Sequence, residues 1–192
     1  MKNIGLYFGS FNPIHIGHLM IANYAIEYGN VDEIWFVVSP QNPFKAKKDL
    51  LDERERLKLL ELSIQGDSRF KISDVEFSLP QPSYTINTLE KLSHLHNKFS
   101  FTILCGMDSL NMLPNWRRSN DIVENYHILV YPRKGYDGGM LLAHPNVNVI
   151  EAPEVEISST FIRQGIKDGK DLRYFMPQKA YDYMTSKGFY KA

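Results

Sequence analysis

The sequence predicts an α/β fold built on a doubly wound parallel sheet, with a small C-terminal helical subdomain. Three observations point there. Short apolar runs of β type alternate with helical segments of ten or more residues. The first run stops at a glycine, asparagine and proline turn, and the tail from Ser158 onward carries two helical segments and no strand. Strands joined through helices of that length run parallel, and helices then cover both faces in the Rossmann-like manner.

The elements follow in order. Lys2 to Phe8 reads as the first strand and ends at Gly9-Ser10-Phe11-Asn12-Pro13, which is rich in turn formers. In the next segment Leu19, Ala22 and Ile26 recur at i, i+3 and i+7, an apolar helical stripe that Gly29 is placed to end. Glu33 to Val38 is the second strand, and a polar loop from Ser39 to Asp49 leads to a helix over Asp52 to Ile64. Phe70 to Val75 reads as a strand, Tyr84 to His96 as a helix and Ser100 to Cys105 as the fourth strand. Tyr126 to Tyr131 and Val147 to Ile150 complete the set. Ligands of such sheets sit beyond the carboxyl ends of the strands where strand order reverses, which directs attention to the loops after the first and fourth strands.

Composition sets further bounds. With 192 residues, 43% hydrophobic and 23% charged, the chain is expected to form one domain at roughly 150 residues per domain. A core over 1–157 and the helical subdomain over 158–192 divide it. Its one cysteine, Cys105, falls inside a strand and reads as a small buried hydrophobe, with nothing nearby to activate the thiol. Twenty-two basic residues balance 22 acidic ones, so there is no global field to hold a nucleic-acid backbone or an anionic membrane. Any anion must be held locally. The apolar runs fall far short of the roughly 20 residues a membrane span needs, and the N-terminus shows no long apolar signal region. The expectation is a cytoplasmic protein without nucleic-acid or membrane partners, and the sequence sets no oligomeric state.

The chemistry concentrates at the first loop. Gly9 to His18 joins a strand to a helix and places His15 and His18 three residues apart at the helix start, where unbonded N–H groups and the helix dipole favour a phosphate. The dipole drives a histidine there toward neutrality, whereas a bound polyphosphate favours the protonated donor. Gly9 and Gly17 are expected to let backbone and ligand approach closely. Neither a Gly-Lys-Ser/Thr sequence nor G-x-G-x-x-G is present, and the histidines lack H-E-x-x-H spacing and a third ligand in the same segment. Simple capping or packing by these histidines stays open. So does capping at Ser158-Ser159-Thr160 with a surface Arg163, a helix N-terminal role for Asp108, and plain packing of Trp116.

His15-Ile16-Gly17-His18 is the H-x-G-H signature of the nucleotidyltransferase superfamily, and the run from Gly9 to Leu19 resembles that of bacterial nicotinate-nucleotide adenylyltransferases. The likeness continues through Pro82-Ser83-Tyr84-Thr85-Ile86-Asn87-Thr88-Leu89, Gly106-Met107-Asp108-Ser109-Leu110, Leu113-Pro114-Asn115-Trp116 and Ile157-Ser158-Ser159-Thr160-Phe161-Ile162-Arg163. The resemblance implies transfer of AMP from ATP to nicotinate mononucleotide, with release of pyrophosphate, in NAD biosynthesis. The substrate's phosphate would be the nucleophile, already mostly a dianion at pH 7 with a second pKa near 6, so no side-chain base is required.

The resemblance assigns catalysis to His15, His18, Lys45 and Arg163. It places ATP on Gly9, Ser10, Phe11 and the two histidines, on Gly106 and Asp108, and on Ser159, Thr160 and Arg163. The mononucleotide falls to Asn12, Lys45, Ser83, Tyr84, Thr85 and Trp116, with Arg117 adding charge. Trp116 would stack on the cationic pyridine ring and Thr85 would meet its carboxylate. Magnesium is expected to arrive as the ATP complex, with the polyphosphate supplying most of its ligands. The chain departs from the family at Asn42-Pro43-Phe44-Lys45, where relatives carry Pro-Pro-His-Lys, and has asparagine at 12 and 87 where many carry aspartate. Alternative readings are a superfamily member acting on nicotinamide mononucleotide, phosphopantetheine or a cytidylyl donor, and a silent nucleotide sensor.

Overall fold

The computed structural model describes residues 1–40 and 50–191. Six strands, β1 (Lys2–Gly9), β2 (Glu33–Val38), β3 (Phe70–Ser73), β4 (Phe99–Gly106), β5 (His127–Tyr131) and β6 (Val147–Val149), form one sheet in the order β3-β2-β1-β4-β5-β6. Every pair is parallel. The order reverses between β1 and β4, so the crevice expected of a doubly wound sheet opens beyond Gly9 and Gly106. Among the described residues no helix is long and apolar enough to cross a membrane.

Alternation along the strands builds two cores, one on each face. Tyr7, Phe36, Leu104 and Leu129 join the layer of α1 (Ile16–Tyr28) and α2 (Glu53–Ile64). Leu6, Val37, Ile103 and Ile128, their neighbours in sequence, join that of α3 (Thr85–Leu95), α4 (Met107–Met112) and α5 (Ser119–Asn125). This is the period-2 pattern of strands covered on both sides. The last two helices, α6 (Ser159–Lys167) and α7 (Gln178–Ser186), place Ile162, Ala180 and Met184 in the first core, so the C-terminal helices share it with the sheet.

Several details differ from the sequence expectation. Helix α1 buries Gly17, Ile21, Ala22 and Ala25, whereas Leu19 and Ile26 are only half-buried, because the small alanines let the helix lie close on the sheet. Gly29 does end that helix, but its φ of −108° is not left-handed; a Cβ there would come within 2.3 Å of Leu129 Cδ2. β3 stops at Ser73 rather than Val75, and a 3₁₀ turn at Val75–Ser78 follows, drawing Glu76 inward. The α4 and α5 segments carry no long apolar period and went unread between β4 and β5.

One buried cation ties the loops at the crevice together. Arg56 of α2 is 1% exposed, and its guanidinium donates to the carbonyls of Leu51 (2.9 Å), Ser10 (2.6 Å), Ser39 (2.9 Å) and Pro40 (3.4 Å). A charge so buried persists only when its donors are satisfied, and these four oxygens are equally dependent on it. Arg56→Ala should therefore destabilise the fold by about 3 kcal/mol, read as a fall in the thermal midpoint of about 10 °C. An unchanged midpoint would contradict this account.

Candidate active site

The loop after β1 is anchored by its carbonyls. Gly9 O accepts from the Ser39 N–H (3.0 Å), Ser10 O from Arg56, Asn12 O from Arg163 Nη1 (2.9 Å) and Pro13 O from the Ser159 hydroxyl (2.8 Å). Phe11, between them, adopts φ +44° and is 2% exposed; its ring occupies the space a Cβ at Gly9 would need, 2.8 Å away. The glycine at 9 thus serves the Phe11 ring, and not only the approach of a ligand that the sequence suggested. Gly17 has a similar duty, since a Cβ there would press on the His15 ring at 3.1 Å.

His15 stands at the N-terminus of α1, and the first bond of the helix runs from the His18 N–H to the His15 carbonyl (3.0 Å), which leaves the Ile16 and Gly17 N–H groups without helical acceptors. The two imidazoles stack at 3.7 Å, and His18 Nδ1 accepts from the His15 backbone N–H (3.2 Å). His15 Nδ1 is buried with no hydrogen-bond partner among the described residues. Burial, and then the nearby Arg133 cation, lower the His15 pKa to about 4, so its ring is neutral at pH 7. The sequence had credited the dipole with this neutrality; desolvation is the main cause.

Two cavities open at the carboxyl edge. One, of about 290 Å³, is lined by His15, Gly17, His18, Asp108, Arg133 and Lys134 among others. The second, of about 340 Å³, is lined by Gly9, Ser83, Tyr84, Thr85, Trp116 and Arg117 with their neighbours. Asp108 lies in the first turn of α4, and its Oδ1 is 3.8 Å from Arg133 Nε. Gly106 leaves the room for that carboxylate, since a Cβ there would meet Asp108 Oδ1 at 2.4 Å. In the second cavity the Arg117 guanidinium lies 4.9 Å from the centre of the Tyr84 ring, and Trp116 is half-buried.

The structure thus gathers most of the residues singled out from the sequence, but not all in the expected way. Ser83 lines the second cavity while its hydroxyl donates to buried Glu76 (2.7 Å), which also accepts from Thr88 (2.9 Å). Asn12 lines neither cavity; its side-chain oxygen accepts from the Leu51 N–H (3.1 Å) and the Tyr190 hydroxyl (2.6 Å). Ser159 and Arg163 are joined to carbonyls of the loop, and Arg163 Nη2 also donates to Thr160 Oγ1 (3.3 Å). Ser10 contributes its carbonyl to Arg56. Lys45 and Phe44 lie outside the described residues. Among the described residues no group of three or more His, Cys, Asp or Glu side chains is arranged to hold a metal.

Sequence reasoning missed Tyr7, Tyr131, Arg133, Glu76 and Arg56. Arg133 follows β5 in Tyr131-Pro132-Arg133-Lys134-Gly135, a turn at the same edge of the sheet, and extending attention to the loop after the fifth strand would have found it. Cys105 is buried in β4, and burial pushes its thiol up to about 12, in keeping with an inert residue.

The depressed His15 pKa carries a signed prediction. Between pH 6.5 and 4 the unfolded chain binds a proton at this site that the folded chain does not, so stability falls as the pH drops through that window. The loss amounts to about 3 kcal/mol. His15→Gln should flatten the dependence of unfolding free energy on pH across the window relative to the wild type; parallel profiles would refute it.

The pattern of the family described as cytidylyltransferase-like matches residues 6–165. A Flavobacterium johnsoniae protein named "Probable nicotinate-nucleotide adenylyltransferase" is 47% identical over 190 residues, covering 98% of each chain. One of the same name from Bacteroides fragilis is 48% identical over 177 residues, 92% of this chain and 88% of that one. Among solved structures, Plasmodium falciparum nicotinic acid mononucleotide adenylyltransferase complexed with NaAD superposes with a TM-score of 0.83 at 21% identity, over 99% of this chain and 98% of that one, which speaks for the fold. The H-x-G-H loop at the sheet's switch point, the full-length match to these relatives and the shared fold agree: the chain belongs to the cytidylyltransferase-like family and, within it, to the nicotinate-nucleotide adenylyltransferases.

Proposed function

We infer that the chain transfers AMP from ATP to nicotinate mononucleotide, giving deamido-NAD and pyrophosphate. The observation that carries this reading is the pair of cavities at the switch point, one against the histidines at the start of α1 and the other against Trp116 and the start of α3. The reaction joins two anions, and the two compartments offer each its own set of donors.

In this reading ATP occupies the histidine side. The unbonded N–H groups of Ile16 and Gly17 and the His18 ring meet the phosphates, and Asp108 accepts from ribose hydroxyls. Ser159, Thr160 and Arg163, carried by the C-terminal helical subdomain over 158–192, are the donors to the β- and γ-phosphates, with Lys45 as a further cation for them. The mononucleotide occupies the other side, its cationic ring on the Trp116 face and its carboxylate at the N–H groups of Thr85 and Ile86, where the positive end of α3 favours an acid over an amide. ATP enters as its Mg²⁺ complex. The fit is to a metal held by polyphosphate and water, because Asp108 is already beside Arg133 and among the described residues no group of three or more His, Cys, Asp or Glu side chains could hold it.

An oxygen of the mononucleotide phosphate bonds to the α-phosphorus while the bond from that phosphorus to pyrophosphate breaks, its electron pair leaving with pyrophosphate. No proton needs to move. The test is a Mg²⁺-dependent pyrophosphate-release assay on nicotinate mononucleotide, nicotinamide mononucleotide and phosphopantetheine. A clear preference for the first is expected, and equal rates on the first two would overturn the specificity while leaving the reaction class intact. In the same assay His18→Ala should lower kcat roughly 10²–10³-fold, by analogy with loss of an oxyanion donor. Trp116→Ala should instead raise KM for the mononucleotide by about tenfold with little change in KM for ATP; equal effects on both would place the indole elsewhere.

A further inference from the structure

Among the described linings the two cavities share two residues, Tyr7 at the end of β1 and Tyr131 at the end of β5. Their hydroxyl oxygens lie 3.1 Å apart, in a partition where the residues are only 5% and 7% exposed. Two hydroxyls carry two protons, and a single hydrogen bond between them uses one. The other is left to point into a compartment. The rings cannot swing far, because Tyr7 is boxed by Phe11 at 5.8 Å, Phe36 at 5.8 Å and His18 at 6.0 Å between ring centres. Arg133 stands over the Tyr131 ring, 5.6 Å from its centre, so a cation attends the same spot.

We propose that the Tyr7 and Tyr131 hydroxyls are a further substrate contact, donating a hydrogen bond to the phosphoryl oxygens at the point where the two substrates are joined. The inference rests on the two-substrate reading of the cavities. Among the described residues this pair is what the two linings have in common, so a phosphate in one compartment that reaches a phosphate in the other lies beside it. The hydroxyls act as donors and not as bases: burial raises both above the ordinary tyrosine range, Tyr7 well above it, so neither gives up its proton near neutral pH. The bonds that form and break remain those at the α-phosphorus, and the tyrosines end the reaction as they began it. Aromatic packing alone would be served by phenylalanine at both positions.

The test is kinetic and uses Tyr7→Phe, Tyr131→Phe and the double variant, each with pyrophosphate release measured at saturating ATP and nicotinate mononucleotide. Thermal unfolding and equilibrium binding of a non-hydrolysable ATP analogue are measured beside it. Each single variant is expected to lower kcat about five- to fiftyfold with its unfolding midpoint and analogue affinity unchanged. The double variant should fall no more than twofold below the slower single, because the hydroxyls act as one unit. A kcat within twofold of the wild type in all three would overturn the proposal while the wild type's own turnover upheld the reaction. A fall in kcat accompanied by a matching loss of midpoint and analogue binding would also overturn it, by reducing the pair to a packing role. A wild-type chain that released no pyrophosphate would overturn both readings together.

Discussion

The loop after β1 works because its carbonyls are spoken for. Ser39 reaches it from the end of β2, Arg56 from α2, and Ser159 and Arg163 from α6, so three separate parts of the chain converge on one strand-to-helix turn. A trans peptide holds its C=O and N–H in opposite directions. Fixing the carbonyls of Gly9 and Ser10 on inward donors therefore turns the N–H groups of Ser10 and Phe11 the other way. Anion binding by backbone amides requires this arrangement, and it explains why a guanidinium is worth burying at Arg56. A hydrophobic residue there would pack, but would leave four oxygens without partners.

The alternation of strands and helices was legible because period-2 and period-3.6 patterns are local, and the parallel sheet follows from connection length. The loops after the first and fourth strands were expected to flank the switch point, and the structure supplied the strand order that puts them there. What resisted reading was set by contacts between distant segments. Of the stripe Leu19, Ala22 and Ile26, the buried member is Ala22, and the sheet takes Gly17, Ile21 and Ala25 beside it, a rotation of the helix that no local pattern reveals. Glu76 sits in an ordinary polar stretch, and only the fold brings Ser83 and Thr88 to its carboxylate. The histidines were legible as residues, whereas the buried Nδ1 of His15 and the ring stacking were not. Asn12 and Ser83 lie in motifs that point to ligand contact, and the structure also engages both side chains in holding the loop and the α3 start, which the motifs did not reveal.

Charge is distributed to the same end. A chain with equal numbers of acidic and basic residues attracts no anion at long range, so its cations act only where they are placed. Arg163 and Arg56 donate to carbonyls of the loop, and Arg133, at the lining of the histidine-side cavity, lies 3.8 Å from Asp108. Arg56 is buried and sets geometry, whereas half-buried Arg163 and exposed Arg133 also reach solvent.

The groups nearest the junction of the cavities share a further property: burial holds them uncharged. His15 is driven down to about 4, Cys105 up to about 12, and both tyrosines of the partition are raised. None is poised to exchange a proton near pH 7, which would be a defect in a site that needed a general base. Here the attacking phosphate brings its own negative charge, and a phenolate or thiolate beside it would only repel. A dry, neutral partition that can donate hydrogen bonds but not accept a proton is the environment in which two anions can be pressed together in line, with helix-start amides and fixed cations meeting the charge that shifts onto the departing pyrophosphate.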